Sequence, residues 1–320
     1  MPIPRALERI GGLQSQYAPS AYIGLWSRLE GFARDDLTRA LERRQVVQAT
    51  LMRVTIHMVS AADYWPMTEG IRTHRRAQWL AARKQLDAKQ MAAAAKKAAK
   101  ELAGEPLSRA ELKELGHTDA SAWNGVGMWL DLVRVPPSGT WERRRADIYG
   151  LAEEWVPPAR TVTEDEGREL LLRRYLAGFG PATPADAANW AGLPPTAFAG
   201  VAEQMRLRSF RDEQGNELLD LPRAQLPDAG TPAPVRFLPT WDATLLVHAR
   251  RTQILREEHR PLVFNSKTPQ SVATFLVDGQ VAGTWTEQKG KVKPEPFEPL
   301  PRAAKRAVEE EARRLEAFVA

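Results

Sequence analysis

Between residues 6 and 60 the spacing of apolar positions changes from a helical to an alternating period. Leu7, Ile10 and Leu13 recur at helical spacing and predict a helix from Ala6 to Leu13. Tyr17-Ala18-Pro19-Ser20 interrupts it, because the residue before a proline avoids helical backbone. Ala21 to Arg28 resumes as a short helix. Asp35-Asp36 opens another, with Leu37, Ala40 and Leu41 on one face. Val46 to Ser60 is rich in Val, Thr and Ile and predicts two short strands. A long helix follows from Ala61 to about Leu86.

The same order then recurs twice. Lys89 to Leu102 carries an apolar stripe of Met91, Ala95, Ala98 and Leu102. Ser108 with Glu111 has capping-box spacing, and Ala120 to Leu132 reads as a third helix. Val133 to Tyr149 predicts a hairpin around Pro136-Pro137-Ser138-Gly139. In the next group Glu164 to Phe179 is helical. Thr183 caps a helix with Pro184 at its first position, and Pro194 or Pro195 starts one ending near Met205. Leu207 to Leu221 closes the group as a hairpin around Glu213-Gln214-Gly215-Asn216.

Helices followed by a two-stranded hairpin form the winged-helix pattern. The expected architecture is mainly α within an α+β class, a curved array of three winged-helix units at 1–86, 87–160 and 161–222. A Pro/Ala/Gly-containing linker, Arg223 to Pro234, leads to a β-containing part at 235–320. Its strands are expected at Val235 to Leu238, Ser271 to Val277 and Gln280 to Trp285, with a tight turn at Gly279. A helix from Arg302 to Val319 docks through Val308, Ala312, Leu315 and Val319.

Composition narrows the chemistry. The absence of cysteine removes disulfides, thiolate nucleophiles and thiolate-bound metal clusters. No signal-peptide core opens the chain, and no apolar run approaches a membrane span, so a cytoplasmic protein is expected. The five histidines show no ligand spacing and no glycine-rich phosphate loop appears, so neither metal nor cofactor is expected.

The net charge is only +5, yet residues 61–100 hold nine Lys/Arg against three Asp/Glu, a local +6. Arg72, Arg75 and Arg76 fall within about one helical turn. Lys96, Lys97 and Lys100 lie opposite the apolar stripe of their helix. Arg143-Arg144-Arg145 and Arg250-Arg251 add further clusters. Such groups suit phosphate backbones, where each contact releases condensed counterions. Strand alternation places Arg53, Thr55 and His57 on one face, a further candidate DNA contact.

Several segments then match one family in order. Gly11-Gly12-Leu13-Gln14-Ser15-Gln16-Tyr17 through Tyr22-Ile23-Gly24-Leu25-Trp26-Ser27-Arg28 resembles the opening of the AlkZ-type and YcaQ-type winged-helix DNA glycosylases. Met52-Arg53-Val54-Thr55-Ile56-His57-Met58-Val59 resembles their Met-Arg-x-Thr-Leu-His-x-Val segment. Phe179-Gly180-Pro181-Ala182-Thr183 with Ala188-Asn189-Trp190-Ala191-Gly192-Leu193 looks like their third helical unit. Leu238-Pro239-Thr240-Trp241-Asp242 and Val277-Asp278-Gly279 with Gly283-Thr284-Trp285 resemble their C-terminal portion.

The resemblance implies a C-shaped array around duplex DNA and removal of alkylated bases, N7-alkylguanine in interstrand crosslinks included. A monomer is expected. The family's water-holding Gln-aliphatic-Gln motif falls on Gln14 and Gln16, with Ser15 where the family prefers an aliphatic residue. Related sequences usually carry another helix ahead of this point, so the first unit is expected to be shortened at its start.

Glutamine cannot take a proton at neutral pH, but its amide donates and accepts hydrogen bonds and can orient a water. A cationic N7-alkylguanine already carries a good leaving group, so positioning alone can supply several kcal/mol. A noncatalytic DNA-binding regulator or lesion sensor is the alternative reading, and a helical scaffold for other partners is a third.

Overall fold

The computed structural model describes residues 1–83, 86–117, 120–246, 252–264 and 271–320, with the side chains of 120–122 left aside. The chain is a mixed α+β protein in which helices surround two main sheets.

Most helices begin where side chains supply their first acceptors. Ser60 accepts from the Asp63 N–H and opens the long helix Ala61–Ala82. Reciprocal capping boxes start Ala88–Leu102 at Asp87, Arg109–Glu114 at Ser108 and Glu164–Phe179 at Thr163. The closing helix Arg302–Val319 has its predicted bounds, and Phe318 near its end packs on Trp26, Phe32 and Trp141.

The N-terminal segment departs from expectation. Its helix runs only over Ile3–Arg9, and Leu13–Gln14 is a short strand. Gly11 and Gly12 take positive φ angles of 67° and 84°, which end the helix and turn the chain. A Cβ on Gly12 would also lie 2.9 Å from the Met58 carbonyl oxygen, so only glycine lets the chain approach its neighbour this closely.

Leu13–Gln14 pairs antiparallel with Ile56–Ser60, placing Leu13 opposite Met58 and Gln14 opposite His57. Ile56–Ser60 pairs in turn with Val46–Thr50. The first hairpin does not stand alone. Val46–Thr50 also pairs with Leu132–Arg134, putting Gln48 opposite Arg134 and Ala49 opposite Val133. Leu132–Arg134 continues to Ile148–Leu151, which reaches Leu107–Ser108 at the far edge. The first two groups thus share one six-stranded sheet. Leu132–Arg134 and Ile148–Leu151 form the expected hairpin, joined by a long connection. The Ser138 hydroxyl organises it by accepting from the Asp147 and Ile148 N–H groups at 2.7 and 3.0 Å.

The C-terminal sheet runs Lys291–Pro296, Gln280–Gln288, Thr274–Val277, Arg236–Leu238, and its first strand in that order was not foreseen. It shares a hydrophobic core with the N-terminal helices: Leu7, Tyr22, Leu25, Phe237, Phe275 and Leu315 form one cluster. A second core joins the long helix to Glu164–Phe179 through Tyr64, Met67, Leu171 and Tyr175. No described helix is long and apolar enough to cross a membrane.

Candidate active site

Gln14, Ser15 and Gln16 run along the sheet edge, and successive side chains of an extended segment alternate in direction. Ser15 turns into the protein, 1% exposed, where its hydroxyl accepts from the Gln48 amide at 3.1 Å. The two glutamines meet different partners. The Gln14 Oε1 accepts from an Arg53 guanidinium N–H at 2.8 Å. The Gln16 Oε1 accepts from the Ile56 backbone N–H at 2.9 Å, just past the Ser15 N–H to Ile56 carbonyl bond of 2.7 Å. Gln16 therefore extends the strand pairing with its side chain. It is exposed, whereas Gln14 is buried.

Ser15 and Gln48 form a buried polar pair in which the Gln48 amide donates to the Ser15 hydroxyl. Replacing Ser15 alone with valine is expected to cost about 1–3 kcal/mol, because the Gln48 amide loses its acceptor. Adding Gln48→Leu should recover most of that loss. Urea unfolding of both singles and the double checks it: additive losses would mean that the pair is not coupled.

Arg53 does not sit on a strand face beside Thr55 and His57. It lies in the hairpin turn Met52–Val54, with φ of 52° at Arg53 and 57° at Val54. Both are in the left-handed region, which is uncommon for a non-glycine residue and strained for a β-branched one such as Val54. The turn is held by Val54 N–H to the Leu51 carbonyl at 3.0 Å and by Thr55 N–H to the Met52 carbonyl at 3.1 Å. Besides Gln14, the Arg53 guanidinium donates to the Trp190 carbonyl. Gly192, at φ 73°, ends the helix Pro184–Ala191 against this turn, and a Cβ there would lie 2.8 Å from the Arg53 backbone nitrogen. The third helical group thereby braces the turn that holds Gln14. Burial lowers the Arg53 guanidinium to about 10, so it stays charged at neutral pH, and no salt bridge to it exists among the described residues.

His57 is 2% exposed, so it does not reach a phosphate. Its Nδ1–H donates to the Thr55 carbonyl at 3.0 Å. Burial, with the nearby Arg53 charge, lowers its imidazole to about 3 and keeps it neutral, so it is no proton shuttle near pH 7. Thr55 lies beside it and donates to the Met52 carbonyl at 3.0 Å.

The arginines of the long helix are engaged inside the protein. Arg72 meets Asp131 at 2.9 Å and Glu69 at 2.5 Å. Arg75, 5% exposed, reaches Asp131 at 3.4 Å and the Thr50 carbonyl at 3.3 Å. Arg76 donates to the Met128 carbonyl at 2.8 Å. Asp131, 59 residues from Arg72, gave no local signal in the sequence. Lys96, Lys97, Arg143 and Arg144 are exposed, with Arg143 on Asp147 at 3.3 Å and Arg144 on the Tyr17 hydroxyl at 2.8 Å. Arg250 and Arg251 lie outside the described residues. Glu258, His259 and Glu298 converge within 4.8 Å, but Arg256 bridges both carboxylates, which makes the cluster an ion-pair group.

The chain as a whole has counterparts in known proteins. The model of the DNA glycosylase AlkZ-like family matches residues 7–318. The chain belongs to this AlkZ-like family. The solved DNA glycosylase AlkZ of Streptomyces sahachiroi aligns over 100% of this chain and 91% of that one. Its TM-score is 0.81 at 20% identity, a likeness of fold. No curated protein sequence matches the chain. For an AlkZ-like protein DNA is the expected partner class. Within this chain the Ser15 side chain turns inward onto Gln48, away from the partners of Gln14 and Gln16.

Proposed function

We propose that this AlkZ-like protein is a monofunctional, metal-independent DNA glycosylase that releases cationic N-alkylated purines such as N7-alkylguanine, crosslinked ones included. It acts as a monomer whose three winged-helix units form a C-shaped array around duplex DNA. The observation that carries the reading is the double anchorage of Gln14 and Gln16. Each side-chain carbonyl already accepts one fixed N–H, from Arg53 and Ile56. Each retains a second lone pair. A water that donates a proton to each carbonyl keeps its own lone pair turned toward the sugar.

The reaction then needs no strong base. The water oxygen attacks C1′ as the C1′–N9 bond breaks, and the bond's electron pair neutralises the cationic purine. The excess proton of the water passes to solvent. An uncharged guanine is a far poorer leaving group and is spared. The exposed Lys96, Lys97, Arg143 and Arg144 are suited to phosphate contacts, whereas Arg72 and Arg75 are engaged by Asp131 and Arg76 by the Met128 carbonyl.

The test is direct. Purified protein incubated with a duplex holding one N7-methylguanine should yield free 7-methylguanine and an abasic strand, with no release from the unmodified duplex. Tight binding without release would sink the enzyme assignment and leave a noncatalytic lesion sensor.

A further inference from the structure

Beside Gln16 the first hairpin, the long helix and the helix Ala120–Trp129 enclose a cavity of about 290 Å³. Four rings line it: Tyr64, Trp79, Trp123 and Tyr149. Three of them are buried and so held in place, at 2%, 8% and 4% exposure for Tyr64, Trp79 and Trp123. Trp123 meets Tyr149 edge-on at 5.5 Å, which fixes the fourth. On the helix side Gly127 contributes no side chain, and a Cβ there would meet nothing within 4 Å. Asn124, one turn earlier on the same helix, is exposed and offers an amide.

An opening of this kind is not what packing alone produces. Interiors fill to near crystalline density. Glycine inside a helix is less favourable than alanine, and nothing steric excludes alanine at Gly127. The volume stands at the lower end of ligand pockets, which run from roughly 300 Å³ upward. That is room for a single ring system and not for a whole nucleotide.

The charges in the wall restrict the occupant further. Asp131 is taken by Arg72 and Arg75, while among the described residues Arg134 has neutral partners, the Thr50 hydroxyl at 3.1 Å and the Tyr149 ring at 5.4 Å. A net positive wall disfavours a cation. The alkylated purine is cationic before its bond breaks and neutral afterwards.

We propose that this cavity receives an uncharged planar ring of the lesion and so selects which lesions are processed. The ring is either the purine as it departs or an aromatic group carried by its alkyl substituent. The inference rests on the glycosylase reading for its substrate, although occupancy by a free ring can be measured without turnover.

Gly127→Leu fills the cavity from a helix that leucine favours, so the variant should melt no lower than the parent. Single-turnover release is compared on duplexes with N7-methylguanine and N7-benzylguanine. A departing purine in the cavity predicts a loss of at least about tenfold on both substrates. An aromatic substituent there predicts that loss on the benzyl substrate alone. Unchanged rates on both, with the variant folded, would overturn the cavity while leaving the glycosylase intact. Calorimetric titration with free 7-methylguanine and 7-benzylguanine forms the second arm, with Gly127→Ala as the milder variant should leucine not fold. Binding to the parent that the Gly127 variant weakens supports the cavity even if neither duplex is cleaved. No binding of either base to the parent, together with no effect on rate, refutes it.

Discussion

Gln14→Ala and Gln16→Ala are each expected to lower single-turnover release of 7-methylguanine by about a hundredfold, the typical effect of losing the alignment of one reacting group. The double variant should fall little further, because one carbonyl alone cannot orient a water and the two act as a unit. Binding of the intact duplex should change little, since neither glutamine carries charge. The same site makes a sharper demand on Arg53. A buried guanidinium without a carboxylate partner is a cost to the fold, and Arg53 is held between two neutral carbonyls. Arg53→Met should therefore leave the urea midpoint unchanged or raise it while release drops as far as in Gln14→Ala. A parallel fall in stability and rate would make Arg53 a structural residue and count against its role in positioning Gln14.

The second large effect concerns Asp131. Its carboxylate pairs with both Arg72, which also has Glu69, and Arg75, whose side chain is 6% exposed. Asp131→Ala leaves that buried charge uncompensated, and such a loss typically costs about 3–5 kcal/mol. The readout is the urea midpoint at unchanged slope. Replacing Arg75 with methionine in the same chain should return part of the loss. A midpoint that stays put in Asp131→Ala would mean that water reaches Arg75 and satisfies it.

Local signals in the sequence account for the parts of the fold that are built locally. Ser108 with Glu111 and Thr183 with Pro184 mark helix starts through contacts a few residues apart, and those starts are where the spacing places them. The strand Leu13–Gln14 is different. Its apolar Leu13 falls in step with Leu7 and Ile10, and only the backbone freedom of Gly11-Gly12 breaks the helical run. The joining of two hairpins through Gln48 and Arg134 depends on residues 86 positions apart, which no window of sequence reveals.

The site divides in the same way. Gln14 and Gln16 stand as candidates only through the family resemblance, as spacing by itself says little. Their partners come from elsewhere: Arg53 from a strained turn, itself donating to the Trp190 carbonyl of the third helical group, and Ile56 from the neighbouring strand. The arginine-rich face of the long helix reads as a phosphate contact by charge count, but the acidic partner that absorbs it lies far along the chain.

The shared six-stranded sheet has an evolutionary and practical consequence. If three similar units once arose by duplication, the first two have since lost their separability. Cutting the chain near residue 86 would strip Val46–Thr50 of its neighbour Leu132–Arg134 and expose an unpaired strand edge. Such a fragment should be prone to self-association, and homologous recombination between relatives at that boundary should yield few soluble chimeras.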